Sequence, residues 1–160
     1  MSQRTDALAT EMESLYGALE RAIEGCSDDE WRRGCSGEGW PVGVTARHIA
    51  VSNEGVASLV QAIATGQPVP PLTTEMLDAR NASDAVEHAN TTRDEVLALH
   101  RRGALAAIGA VRQLSDEQLD RTAPLALLGG AETSTQQLIE AALIGHPTEH
   151  LNSIRTALSR

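Results

Sequence analysis

Apolar residues recur along the chain at the three- and four-residue steps that are typical of amphipathic helices. The first such pattern runs from about residue 5 to residue 24, and its apolar stripe is Leu8, Met12, Leu15, Leu19 and Ile23. Gly25 follows the pattern as a stop signal. The next segment, Ser27 to Trp31, has the Ser-x-x-Glu spacing of a capping box and predicts one short helical turn.

Three longer patterns follow. The second helix is predicted from Pro41 or Val42 to about Thr65, and its stripe comprises Val44, His48, Val51, Gly55, Leu59 and Ala62. The third is predicted over roughly 83–114, with Ser83 or Asp84 as its cap, and the fourth over 134–158, with a loop over 115–132 between them. Long helices with long connections predict an all-α four-helix bundle that is not simple up-down-up-down.

Composition supports the helical prediction. Aromatic residues make up 2% of the chain, with no Phe, so the core consists of Leu, Ile, Val, Ala and Met. Straight-chain and small residues favour helix, whereas strands are enriched in aromatic and β-branched residues. The length of 160 residues and the absence of a change in composition predict a single domain over residues 1–160.

The charge balance narrows the partners. Asp and Glu number 22 against 13 Lys plus Arg, a formal net charge of −9, and all cations are Arg. This balance argues against nucleic acid as a partner. No apolar run approaches the ~20 residues of a membrane span, and the first residues lack a signal-peptide pattern. We therefore expect a cytoplasmic protein in which Cys26 and Cys35 remain free thiols.

The histidines carry the most specific chemical signal. His146 and His150 are four residues apart on the apolar stripe of the fourth helix, so both imidazoles project from the same face. His48 occupies a similar position on the second helix. Three imidazoles from two helices supply the ligand set of open, catalytic-type zinc sites, which leave room for water or substrate. The alternative is that these are hydrogen-bonded histidines of the core.

Pro147 lies between the two histidines of the fourth helix. It cannot donate a backbone hydrogen bond to Leu143 and therefore predicts a kink just before it. Such a kink either rotates His146 out of line with His150 or aims the pair at one point. The sequence leaves both alternatives open.

The string His-x-x-Glu-His, residues 146–150, also matches the inverted zincin motif, in which the Glu is a general base. Those peptidases need a third ligand far downstream, and only ten residues follow His150, so we disfavour this hypothesis. Glu149 is a candidate catalytic base or acceptor near His146, or else a solvated surface carboxylate. His100 is a candidate fourth ligand or borders the core, and His88 is expected at the surface.

Two segments carry a resemblance to a known family. Residues 39–50, GWPVGVTARHIA, resemble the "Gly-Trp … His-Leu/Ile-Ala" segment of the DinB-like superfamily, which includes the N-terminal domain of mycothiol-dependent maleylpyruvate isomerases. Residues 146–150, followed by Ile154 and Arg155, are similar to the closing His-x-x-x-His motif of that family and its trailing arginine. The order of the elements agrees as well, and the resemblance covers nearly the whole chain.

The resemblance implies a four-helix bundle, often a homodimer, in which His48, His146 and His150 hold a divalent metal. It also implies a transferase or isomerase that acts on a small molecule with a low-molecular-weight thiol, mycothiol or bacillithiol. A non-catalytic metal-binding or interaction protein of the same fold is the alternative. We expect zinc first, with nickel, iron, manganese and copper as the other candidates, because imidazole ligands suit several of these ions.

Overall fold

Side-chain caps determine where most of the helices begin. The computed structural model of the chain describes residues 2–159. Six of its helices start at a Ser or Thr N-cap whose hydroxyl accepts the backbone N–H three residues ahead, and these caps are Ser2, Ser27, Thr73, Thr92, Ser115 and Ser134. Each cap pairs a donor that the first helical turn leaves without a partner.

The elements follow one another in a mainly helical order. The helices are α1 (Gln3–Gly25), α2 (Asp28–Trp31), α3 (Val42–Thr65), α4 (Thr74–Glu87), α5 (Arg93–Arg112), α6 (Asp116–Asp120), α7 (Thr135–Leu138) and α8 (His146–Leu158). A π-helical segment, Ile139–Gly145, joins α7 to α8. The strands β1 (Thr122–Leu125) and β2 (Ala131–Ser134) pair antiparallel in a hairpin with a 3₁₀ turn, Ala126–Leu128, at its tip.

The predicted first, second and fourth helices are confirmed to within about two residues at each end. The third was wrong, because residues 83–114 contain the end of α4, a break and α5. Thr92 accepts the N–H of Glu95, whose carboxylate accepts the N–H of Thr92 in return, and this capping box starts a new helix. Trp31 Nε1–H donates to the carbonyl of Thr91 at 2.9 Å, which anchors the break.

The segment predicted as a loop over 115–132 contains α6 and most of the hairpin. Ser115 and Gln118 form the capping box that starts α6. Gly129 and Gly130 turn the chain with φ values of +65° and +84°, a conformation that glycine adopts without a steric penalty.

Contacts between helices establish the directions in which they run. Glu13 pairs with Arg112 at 2.8 Å and Glu20 with Arg101 at 2.5 Å, so α1 and α5 are antiparallel. In contrast, α3 and α5 are parallel. Gly103 lies against the carbonyl of Ala50, and further along both helices Gln61 Nε2 donates to the carbonyl of Ala110.

The last helical segment runs parallel to α1. Arg4 donates to Gln136 near the start of both, and Tyr16 donates to Leu143 further along. The four long helical segments are α1, α3, α5 and the segment from α7 to α8, and in chain order they therefore run up, down, down and up. This arrangement confirms the prediction of an all-α four-helix bundle that is not simple up-down-up-down.

The parallel pair α3 and α5 requires a long return connection, and α4 provides it. Thr74 at its start donates to Leu127 in the hairpin tip, and Asp84 near its end pairs with Arg47 of α3 at 3.1 Å. No residue of α4 is buried. This crossover helix therefore lies on the outside of the bundle.

The core occupies the space between the four long helices. The buried residues of α3 are Val42, Gly43, Val44, Thr45, Ala46, Ile49, Ala50, Asn53, Ala57, Val60, Ile63 and Ala64. Of the predicted stripe only Val44 is buried, whereas His48 and Val51 are half-buried and Gly55 is exposed, so the buried face is rotated from the predicted one. The small residues of α3 pack closely on α5, where a Cβ added at Gly103 would lie 3.3 Å from the carbonyl of Ala50. His48 consequently lies at the edge of the core.

Cys26 and Cys35 are both buried and carry free thiols. Burial raises the pKa of both thiols. Within residues 2–159, no helix is both long and apolar enough to cross a bilayer.

Substituting Gly43 by Ala is expected to destabilise the protein by about 1–3 kcal/mol, the range for overpacked cores. The indole of Trp31 packs directly on Gly43, and an added Cβ would lie 2.4 Å from its Cε2. Gly109→Ala is the matched control, since a Cβ there meets nothing within 4 Å. This control is expected to stabilise helix α5 by about 0.4–1 kcal/mol. Urea unfolding of both variants measures the difference, and a loss of stability in both would contradict the packing argument.

Candidate metal centre

The three predicted histidines meet at the edge of the core, between α3 and α8. His48 Nε2 lies 3.1 Å from His146 Nε2, which lies 3.0 Å from His150 Nε2. One ligand atom from each ring lies within 4.8 Å of both others. All three rings are half-buried. The fold therefore brings together residues that are 98 positions apart in the chain.

The backbone before Pro147 explains how the pair on α8 is aimed. His146 donates its N–H to the carbonyl of Ala141, five residues back, within the π-helical segment. Pro147 has no N–H for the carbonyl of Leu143, and this carbonyl accepts the hydroxyl of Tyr16 at 3.0 Å instead. The helix continues past the proline, and the altered turn leaves His146 and His150 pointing at one another.

Burial keeps two of the imidazoles neutral. Removal from water, followed by the proximity of His150, lowers the pKa of His48 to about 4. The same two causes, with a further contribution from His48, lower the pKa of His146 to about 4. At neutral pH both rings therefore present an uncharged imidazole, the form that binds metals.

Hydrogen bonding alone does not satisfy the three nitrogens. A ring nitrogen offers either one N–H or one in-plane lone pair. His146 Nε2 faces two other ring nitrogens at 3.1 and 3.0 Å, so it pairs with only one of them. The other contact is left without a bond, which is costly in a half-buried site. A cation that accepts all three lone pairs removes this conflict.

The spacing of the nitrogens also fits a metal. Imidazoles bound to a tetrahedral zinc ion at about 2.0–2.1 Å place their nitrogens about 3.3 Å apart. The two contacts to His146 Nε2, 3.1 and 3.0 Å, are close to that separation. The donor set present in the chain therefore fits a divalent ion with three protein ligands.

A carboxylate that sequence reasoning missed adjoins the cluster. Glu38 Oε1 accepts a hydrogen bond from His150 Nδ1 at 2.6 Å, and its Oε2 accepts one from Ser153 Oγ at 2.6 Å. Its side chain is only 11% exposed. Burial opposes ionisation of this carboxyl group, but the hydrogen bonds from Ser153 and His150 outweigh it, and the net effect lowers its pKa.

The sequence offers only a weak signal for Glu38. It lies between Gly37 and Gly39, immediately before the Trp40 motif. No spacing rule connects this position with His150, which is 112 residues away.

The other candidates lie outside the cluster. Glu149 is exposed, and none of the hydrogen bonds among residues 2–159 joins it to the histidines, so its catalytic role stays a prediction. His100 is 1% exposed in the core, where its Nε2 contacts the carbonyl of Tyr16 at 3.0 Å. His88 is half-buried and pairs with Asp84 at 3.2 Å.

Comparison with solved structures gives two informative neighbours. One is YfiT from Bacillus subtilis, described as a probable metal-dependent hydrolase with an unusual four-helix bundle topology. It superposes with a TM-score of 0.81 at 17% sequence identity, and the match covers 100% of this chain and 89% of YfiT. A mycothiol-dependent maleylpyruvate isomerase superposes with a TM-score of 0.75 at 14% identity, over 96% of this chain and 63% of that one. The chain thus spans less than two thirds of the isomerase, and at these identities the likeness shows the fold alone.

Sequence comparison supplies the family. No curated protein matches the chain significantly. The model of the DinB superfamily matches residues 11–154, which include the cluster histidines of both α3 and α8. From this match over most of its length, we conclude that the chain belongs to the DinB superfamily.

Proposed function

We propose that this protein binds a divalent metal through His48, His146 and His150 and uses it in a transferase or isomerase reaction with a low-molecular-weight thiol. The observation that carries the proposal is the convergence of three Nε2 atoms that hydrogen bonding alone leaves in conflict. The mycothiol dependence of one structural neighbour supports the choice of co-substrate, of the mycothiol or bacillithiol type.

The chain contributes a pre-formed set of neutral donors. The low pKa values of His48 and His146 keep the lone pairs of both rings available at neutral pH. Because the rings are half-buried rather than enclosed, a small molecule reaches the cluster from solvent. A bound divalent ion would lower the pKa of a thiol or water in its open position and so provide a nucleophile.

The alternative is a non-catalytic metal-binding or interaction protein of the same fold. It is favoured by the contacts and exposure of the nearby carboxylates. Glu38 accepts hydrogen bonds from both His150 and Ser153, and Glu149 is exposed, so neither carboxylate lies beside the Nε2 atoms in a position to accept a proton. Zinc remains our first choice of ion, with nickel, iron, manganese and copper as alternatives.

Elemental analysis of protein purified without a histidine tag tests the proposal, with His48→Ala and His150→Ala variants alongside. We expect about one equivalent of metal in the wild type and a large loss in both variants. Transfer of mycothiol or bacillithiol to small electrophiles is then assayed with the loaded protein. Metal without thiol transfer would favour a non-catalytic metal-binding protein, whereas equally little metal in all three proteins would contradict metal binding and leave an interaction protein of the same fold.

We also propose a homodimer, in keeping with the family resemblance. Light scattering of the purified protein measures its mass in solution, and a mass of 17.0 kDa, that of one chain, would contradict this proposal.

A further inference from the structure

We propose that Glu38 is a positioning residue for the metal site and that the loop between α2 and α3 holds it in place. This inference rests on the proposed metal binding by the three histidines. Glu38 contacts none of the three Nε2 atoms and acts through the opposite nitrogen of one ring, His150 Nδ1.

The loop that carries Glu38 is closed on itself. The N–H of Cys35 donates to the carbonyl of Trp40 at 2.8 Å, and the N–H of Gly39 donates to the carbonyl of Cys35 at 3.0 Å. Gly39 has a φ of +73°, which a residue with a side chain rarely adopts. The backbone around Glu38 is therefore held in one tight turn.

The same loop is fitted to both helices of the cluster. A Cβ added at Gly37 would lie 3.4 Å from Ser153 Oγ, so the loop packs directly on α8. The ring of Trp40 lies 5.3 Å from the ring of His48, in an edge-to-face arrangement. One short loop therefore contacts a ligand from each of the two helices.

The contact with Glu38 determines which nitrogen of His150 carries the proton. A carboxylate is an acceptor only, so the proton of the neutral ring lies on Nδ1 and the lone pair on Nε2 faces the cluster. A carboxylate partner of this kind also increases the basicity of a metal-bound imidazole. Ser153 holds the second oxygen of Glu38 and so fixes the plane of the carboxylate.

His150 differs from the other two histidines in this respect. Among the hydrogen bonds of residues 2–159, those of His48 and His146 join ring nitrogens only to one another and to His150. The single oriented ring therefore lies at one end of the cluster, and loss of Glu38 should disturb His150 first.

The test is Co²⁺ and Zn²⁺ affinity, measured by competition with a chromophoric chelator. Glu38→Ala is expected to weaken binding about 10–100-fold, the range for loss of an outer partner. Glu38→Gln keeps an acceptor without its charge and is expected to lose less. Glu54→Gln is the matched control, because it removes the same charge from α3, the helix of His48, at an exposed side chain outside the cluster.

Two further measurements distinguish a positioning role of Glu38 from a general effect on folding. The visible spectrum of bound Co²⁺ should change in Glu38→Ala and stay the same in Glu54→Gln. Circular dichroism of the metal-free variants checks that each is folded. Ser153→Ala, which leaves Glu38 and all three ligands in place, should weaken binding in the same direction by less.

The outcomes distinguish the two proposals. If the wild type binds metal and Glu38→Ala binds it as tightly as Glu54→Gln with the same Co²⁺ spectrum, the role of Glu38 is overturned and metal binding stands. If Glu38→Ala is unfolded, unchanged affinity in Ser153→Ala and Glu38→Gln overturns the role in the same way. If the wild type binds no metal, the proposed function fails and the positioning role fails with it.

Discussion

Replacing His146 by alanine is expected to abolish the stabilisation of this protein by a divalent metal. His146 Nε2 is the central atom of the cluster, within 3.1 Å of one neighbouring Nε2 and 3.0 Å of the other. A ligand that binds only the folded state stabilises it by about 2.7 kcal/mol when present at about 100 times its Kd. For a chain of this size each kcal/mol raises Tm by about 2–4 °C.

Thermal melts with zinc and with a chelator measure the effect. The wild type should gain about 5–10 °C on these figures, whereas His146→Ala should gain almost nothing. His88→Ala is the matched control, because that imidazole immediately follows α4 and pairs with Asp84 away from the cluster. An equal gain in the wild type and His146→Ala would mean that the metal binds elsewhere on this acidic chain.

Acid is expected to destabilise the metal-free protein before most carboxylates titrate. His48 and His146 have pKa values of about 4 in the folded state, against 6.5 as the ordinary value of the residue. Between these values the unfolded chain binds more protons than the folded one. The free energy of unfolding therefore falls as pH is lowered from 6.5 to 4, by a few kcal/mol in order of magnitude. The contribution of these two imidazoles to stability is fully present above pH 6.5.

Urea unfolding at pH 7, 6, 5 and 4 in the presence of a chelator measures this slope. Substituting His48 and His146 together by Gln should flatten most of it. His100 is expected to leave a residual slope, since burial also lowers its pKa. Capping carboxylates such as Glu30 lose their contribution only near and below their ordinary value of 4.5, so they affect a lower range of pH. An unchanged slope in the double variant would contradict the assignment of this pH dependence to His48 and His146.

The fold was largely predictable because most of its helices are encoded locally. A cap pairs with a donor three residues away, and an apolar stripe repeats within one helix, so both can be found without knowing the tertiary structure. The predicted third helix failed for a related reason. Apolar residues such as Val86 and Val96 lie on both sides of the break, so only the capping box of Thr92 with Glu95 marks it in the sequence.

The candidate site was predictable only in part. Two histidines four residues apart on α8 share a face in any helix, but the proline between them left their alignment open. The structure decides it through a π-helical segment and the hydroxyl of Tyr16, which is 127 residues from the carbonyl it pairs. Glu38 was missed because its contact with His150 depends on how a loop packs on a distant helix.

By itself the sequence determined the helical class, the bounds of α1 and α3, the net negative charge and the three candidate histidines. The tertiary structure alone decided the up-down-down-up order, the distance from His48 to the pair on α8 and the carboxylate behind His150. The physical reason is the range of the interactions. Capping and periodicity act over a few residues, whereas the packing of whole helices, such as the close approach of α3 and α5 at Ala50 and Gly103, joins residues that are far apart in the chain.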